Sequence, residues 1–400
     1  MATSKKTKEQ SLQDVIGRIE NEINRLNNKE FTMFFFTVDS KNVPSGSVVY
    51  TYELAYAMKQ LGYNVKMLYQ MANPFSERQL RKQKEKGTYD KMNEQTFCGV
   101  EDWMGKEYAD LEHINIDIKD SWSVAPSDFL FIPEAFSSLM MQTHIHKIPC
   151  QRYVLLQNFD YVTDFIPFGS QWANFGITNC IATTELQKSM LQDVMPYVKT
   201  TVLNPYIPEF FRKPVEPKKL IVNVISKKQS DVNKLMKCFY WKYPVYKFIS
   251  FVDLRGMARE HYAERLKEGA ITIWVDTDTP FGFGALEAMR CNNVVIAKLP
   301  ENTQEWMLNE DGELLDNAIW FDNFSSLADI LADVVASWMQ DEIPQVLYDN
   351  MEKTNKRYTK EKWDNDVKAL AEDIVAKRAA ELNMFLENAK KNNETKESEE

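Results

Sequence analysis

The sequence predicts an α/β protein built from two facing Rossmann-like, doubly wound domains. Three observations lead there. The chain has 400 residues, enough for two to three domains at roughly 100–200 residues each. Strand-like apolar runs alternate with helical patterns in both halves. A proline-rich stretch, Asn204–Pro217, separates the two series and reads as a linker.

Taken in order, residues 1–10 are polar and predicted to fray. Gln10 to Asn28 carries Leu12, Val15, Ile16, Ile19, Ile23 and Leu26 at helical spacing. Phe31 to Val38 (FTMFFFTV) is dense enough in aromatics to predict a buried strand. A polar loop, a helix from Val48 to Leu61 that stops at Gly62, and a strand from Asn64 to Gln70 complete one βαβ unit. Residues 71–110 form a charged insertion with Arg78, Arg81, Lys82, Lys84 and Lys86, either a solvated excursion or a flap over an acceptor. Further strands are expected at His113–Ile118, Asp128–Pro133, Arg152–Gln157 and Cys180–Thr183.

Beyond the linker, strands are expected at Leu220–Ile225, Tyr246–Val252, Ile271–Val275, Val294–Ala297 and Ala318–Phe321. Helices are expected at Val232–Tyr240, Met257–Lys267, Phe283–Cys291 and Ser325–Met339, then over Glu342–Lys390 before a polar tail. The expected domains are therefore an N-terminal lead (1–30), an N-terminal domain (31–210), a C-terminal domain (211–345) and terminal helices (346–400).

A net charge of −10 argues against general binding to nucleic acid or anionic membranes and leaves room for a local basic pocket. Five scattered cysteines without a C-x-x-C pair read as reduced thiols of a cytoplasmic protein. His144 and His146, two apart on an expected helix, face different sides and are not read as a metal site. MATSKKTKEQ has no apolar core and no run reaches membrane-spanning length, so neither a signal peptide nor a span is expected. Phe34–Phe36, Phe239–Trp241 and Trp274 read as core, whereas Tyr161 and Trp172 could stack on a sugar or base.

The most informative segment is Asp276–Lys298. Gly282 and Gly284 allow close backbone approach at the start of a helix, where free N–H groups favour an anion. Glu287 lies one turn further and can face the same cleft. Thr279-Pro280-Phe281-Gly282-Phe283-Gly284-Ala285-Leu286-Glu287-Ala288-Met289 resembles the signature of retaining GT-B glycosyltransferases of the large family four. The resemblance extends more weakly from about residue 31 to 360. It implies a metal-independent transferase that needs no cofactor and uses a nucleoside-diphosphate sugar as donor.

Residue by residue, Glu287 matches the family's second motif glutamate, on the donor ribose. Thr279 stands where the family has its first, near the transferred sugar. A threonine can hydrogen-bond a sugar hydroxyl but brings no negative charge. Leu220–Lys228 resembles the strand that ends in a diphosphate-clamping basic pair, at Lys227 and Lys228. Glu287, Thr279 and Lys228 are the catalytic candidates; Lys227, Gly282, Phe283, Gly284 and Gly46 join Lys228 and Glu287 as donor-binding candidates. Gly46 belongs to the loop Pro44–Ser47, which resembles the family's glycine-rich loop.

FIPEAF and LLQNFDYV resemble the Pro-Glu and Gln-Asn segments of one branch, and offer Glu134, Gln157, Asn158 and Asp160 as acceptor-side candidates. The acceptor stays open: a glycan, a protein, a small molecule or modified bases of DNA. Thr279 also leaves open a non-catalytic subunit that binds nucleotide-sugar or scaffolds a glycosylation complex.

Overall fold

The computed structural model describes residues 2–38, 45–70, 100, 101, 103–116, 122–136, 150–276 and 280–398. After helix α1 (Ala2–Asn27), the first half folds as β1 (Thr32–Val38), α2 (Gly46–Gln60), β2 (Asn64–Gln70), β3 (Glu112–Asn115), β4 (Phe129–Pro133), β5 (Gln151–Leu156), α3 (Phe159–Phe165), β6 (Asn179–Ala182), α4 (Glu185–Val194) and β7 (Lys199–Val202). Its seven strands are parallel, in the order β3-β2-β1-β4-β5-β6-β7.

The second half runs β8 (Lys219–Ile225), α5 (Gln229–Lys242), β9 (Ser250–Asp253), α6 (Arg259–Glu268), β10 (Gly269–Trp274), α7 (Phe283–Arg290), β11 (Val294–Lys298), β12 (Ile319–Phe321) and α8 (Phe324–Met339). Its five parallel strands are ordered β12-β11-β10-β8-β9. Each sheet reverses winding once, between β1 and β4 and between β8 and β10. Such reversals open a crevice at the carboxyl ends of the strands. Two doubly wound sheets of this kind constitute the GT-B architecture.

The central strands form because their residues are apolar on both faces: Phe35, Phe129, Phe131, Ile271 and Ile273 are fully buried between helical layers. Gly62, at φ +86°, ends α2 in a backbone region that disfavours other residues. The proline-rich stretch is packed rather than loose: Ile207 and Phe211 are buried in the second core.

The terminal helices part company. In α9 (Gln345–Asn355), Leu347 and Met351 join the core of the second sheet. The long α10 (Lys360–Ser398) returns to the first, burying Trp363, Val367, Leu370 and Ile374. The two connections between the halves run side by side, joined by the Ile207 N–H donating to the Tyr358 carbonyl at 3.0 Å.

Several expectations change. Helix α1 starts at Ala2 rather than Gln10, because its Lys-, Glu- and Gln-rich first turns are good helix formers. The polar tail continues α10 as far as Ser398. β7 was not expected; its sequence KTTV is polar, and among the described residues it pairs along β6 at the sheet edge. The strand expected at Tyr246–Val252 is shortened because Pro244 starts a 3-10 turn through Tyr246. Trp172 is fully buried and cannot stack on a ligand, whereas Trp241, expected in the core, is 76% exposed. The insertion ends inside the fold: Val100, Trp103, Met104 and Tyr108 are buried, and Tyr108 packs edge-on to Tyr52 of α2. Arg78–Lys86, His144 and His146 lie outside the described residues. No helix among the described residues is long and apolar enough to cross a membrane.

Candidate active site

A cleft of about 530 Å³ lies between the carboxyl ends of the two sheets. The first half contributes Ser45, Gly46 and Ser47 after β1, Glu134 after β4, Gln157, Asn158 and Tyr161 after β5, and Trp103. The second contributes Ser226 and Lys227 after β8, Arg255 and Arg259 after β9, Asp276 after β10, and Phe283, Gly284, Tyr262 and Glu287. The residues after β1, β4, β8 and β10 flank the winding reversals, where open α/β sheets bind ligands.

On the first wall, Gly46 opens α2, and a Cβ built there would sit 3.5 Å from the Phe283 ring across the cleft. Gln157 Nε2 donates to the Ser47 carbonyl at 3.1 Å, linking two loops. Asn158 caps α3, its side-chain oxygen accepting from the Asp160 N–H at 3.0 Å. Glu134 is buried beneath them, and its Oε1 accepts the Asn158 N–H at 2.9 Å while Oε2 has no hydrogen-bond partner among the described residues. Burial pushes its pKa up to about 7, against the pull of backbone N–H groups at Glu134, Asn158 and Gln157. Asp160 is exposed on the first turn of α3 and does not line the cleft.

On the second wall, Gly282 sits at φ +77°, capping the start of α7. A Cβ there would meet Trp306 at 3.0 Å, and the Trp306 indole N–H donates to the Phe281 carbonyl at 2.7 Å. Gly282 thus shapes the turn from behind, while Phe283 and Gly284 face the cleft. A Cβ on Gly284 would stand 3.0 Å from Ile225 and 3.2 Å from the Tyr262 hydroxyl.

Glu287 is 8% exposed, and burial raises its pKa to about 7 although Arg259 and a hydrogen bond from Tyr262 lower it. Lys227 Nζ lies 3.6 Å from Asp276. Lys228 caps α5 with its backbone N–H on Ser226 Oγ, 3.1 Å away, and is not among the lining residues. The second cation of the wall is Arg255, whose Nε and Nη2 are held by Asp253 at 3.0 and 2.6 Å.

Arg259 joins the halves. It pairs with Glu53 of α2 at 3.1 Å, and both side chains are at most 10% exposed. The Tyr206 hydroxyl donates to the other Glu53 oxygen at 2.7 Å. Burial opposes the Arg259 charge, but Glu53, and then Glu287, more than offset it and raise its pKa. Glu305 adds a second bridge, accepting from Asn204 Nδ2 and from the Glu185 N–H, each at 3.2 Å.

Arg255, Arg259, Tyr262, Asp276 and Trp103 were missed in the sequence. The strand-end rule would have found the first two, since Leu254–Arg259 directly follow β9. Thr279 lies outside the described residues. Among the described residues, no group of three or more His, Cys, Asp or Glu is arranged to hold a metal ion.

No family profile matches the chain. A 112-residue stretch is 28% identical to an alpha-1,6-glucosyltransferase of Actinobacillus pleuropneumoniae serotype 7, covering 27% of this chain and 34% of that protein. The match thus spans about a third of that relative. Among solved structures, the fold is similar to sucrose-phosphate synthase of Thermosynechococcus elongatus, with TM-score 0.57 and 12% identity over 86% of this chain and 99% of that one. It is similar to the pneumococcal O-GlcNAc transferase GtfA in complex with UDP and GlcNAc, with TM-score 0.56 and 8% identity over 87% and 99%. Anabaena HepE in complex with UDP-glucose gives TM-score 0.54 and 9% identity over 86% and 99%. The chain has the GT-B fold of these proteins.

Proposed function

We propose that the protein is a glycosyltransferase that moves a sugar from a nucleoside-diphosphate donor to an acceptor hydroxyl, with retention of configuration and without a metal. The observation that carries this reading is the division of charge in the cleft. Among the described residues, the Lys and Arg side chains that line it, Lys227, Arg255 and Arg259, all come from the second half. A diphosphate fits that wall, with Lys227 and Arg255 as counter-charges and the amides near Gly284 as donors. Glu287 would grip the ribose hydroxyls. Two of the similar structures carry UDP or UDP-glucose, which makes a UDP-sugar the first donor to test.

In the proposed reaction, the acceptor oxygen attacks the anomeric carbon from the side on which the diphosphate leaves. The carbon–oxygen bond to the diphosphate breaks, and its electron pair stays on the phosphate oxygen. The acceptor proton passes to that oxygen. The second-wall cations stabilise the leaving charge. Closure of the halves would keep water from the cation-like sugar. Incubation with UDP-, GDP- and ADP-sugars tests the proposal: binding and slow hydrolysis of one donor is expected, and neither with any of them refutes it.

Thr279 favours a second reading, a nucleotide-sugar-binding subunit without turnover. Donor binding with no hydrolysis or transfer, together with turnover gained in Thr279→Glu, would select it.

A further inference from the structure

We propose that the acceptor is a neutral saccharide, received on an aromatic platform formed by Tyr161, Phe165 and Phe168 at the mouth of the cleft. The inference rests on the glycosyltransferase reading above and specifies its second substrate.

The platform begins where β5 delivers the chain to the cleft. Asn158 caps α3, and one face of that short helix enters the core through Val162, which is 2% exposed. The adjoining face carries Tyr161 and Phe165, one turn apart and 39% and 45% exposed, with their rings edge to face at 6.0 Å. Tyr161 also lines the cleft, so the pair continues its wall outward. Phe168, three residues further on, is fully exposed. The core requirement of α3 is already met by Val162, so these three rings are not displaced core residues. Three exposed aromatics within eight residues are costly to leave wet and mark a contact surface.

The surrounding chemistry selects the occupant. A pyranose presents a C–H face that packs on an aromatic ring, and a rim of hydroxyls that needs acceptors and donors. Asp160 and Asp164, both exposed, flank the rings with carboxylates, and Gln157 and Asn158 supply amides on the cleft side. Residues 153–187 contain no Lys or Arg. A phosphorylated acceptor or a nucleic acid would meet two carboxylates there and no counter-charge from this segment, whereas a neutral sugar meets no such repulsion.

The test uses the full chain saturated with UDP and titrated with maltotriose, cellotriose or chitotriose. Glucose 6-phosphate and a single-stranded oligonucleotide serve as anionic comparators. Saturation-transfer NMR and calorimetry report binding. At least one neutral oligosaccharide is expected to bind, and Tyr161→Ser and Phe168→Ser are each expected to weaken it about fivefold to tenfold. The melting temperature of Phe168→Ser should match wild type, because the ring contributes nothing to the core. Binding of the anionic comparators alone, binding of none of the saccharides while UDP still binds, or saccharide affinity unchanged in both variants would each overturn the inference. Failure of the underlying reading shows separately, as absence of binding and hydrolysis with every nucleotide-sugar.

Discussion

The two walls of the cleft are built by the same topological device and carry opposite chemistry. The first offers a Glu134 carboxylate oxygen with no partner among the described residues, amides, serines and an exposed aromatic. The second offers Lys227, Arg255 and Arg259, each already steered by a carboxylate: Asp276, Asp253 and Glu53. On the proposed reading, the contrast lets an acidic protein hold an anionic donor. Among the described residues, the cations that line the cleft stand on one wall, each beside an acidic partner.

The contact that spans the comparison should give the largest effect when broken. Glu53→Ala leaves Arg259 buried without its main counter-charge, and such losses cost about 3–5 kcal/mol. A fall of that size in urea unfolding is expected, with a Glu53→Met/Arg259→Met double variant recovering much of it. A single-variant loss below about 1 kcal/mol would mean that the pair is not buried in solution.

Next come the second-wall cations. Lys227→Ala and Arg255→Ala should each weaken UDP binding by about tenfold to a hundredfold in calorimetry, given the strength of charge-assisted hydrogen bonds. Tyr161→Ser should leave UDP affinity within about twofold of wild type if the walls act separately.

Glu287 sharpens the comparison through pH. Its pKa is raised from 4.5 to about 7 by burial, so the fold favours the protonated form. That stabilisation is complete below the ordinary value and is lost as pH rises through 7. The ionised form is the better acceptor for hydroxyls, so donor affinity should fall as pH drops below 7. Glu287→Gln should remove the inflection in UDP-sugar affinity, and its stability advantage over wild type should grow between pH 5 and 8. Glu134 shifts in the same direction, so the stability of the Glu287→Gln variant still falls as pH rises.

The glycines give the smallest effects. Gly284→Ala forces Ile225 or Tyr262 to yield by a few tenths of an ångström, an overpacking cost of about 1–3 kcal/mol. Gly46→Ala makes only ordinary contact with Phe283 and should change stability by less than about 1 kcal/mol. A melting scan of the two separates a tight wall from a roomy one.

Much of this was legible in the chain. β1, β4, β8, β10 and β11 announce themselves as dense apolar runs because both their faces are covered. The Phe-Gly-Phe-Gly segment and Glu287 were readable because turn, helix start and carboxylate lie within one short stretch. The Glu53–Arg259 pair was not, since its members are 206 positions apart and each looks locally like a solvated helix charge. Lys228 follows Lys227 in sequence, yet its backbone caps α5 and it is not among the residues that line the cleft, whereas Arg255, from the end of β9, lines it with Lys227. Trp172 and Trp241 defeated prediction because burial of one tryptophan is decided by tertiary packing, not by its neighbours in the chain.

The return of α10 to the first half means that the polypeptide passes between the halves twice. Ile207 and Tyr358, one on each passage, are both buried and share a backbone hydrogen bond. A single tether would let the halves swing, twist and slide. Two tethers bonded to each other would act as a door hinge: they would favour rotation about one line over the other motions, so that the walls of a closing cleft would meet in the same register.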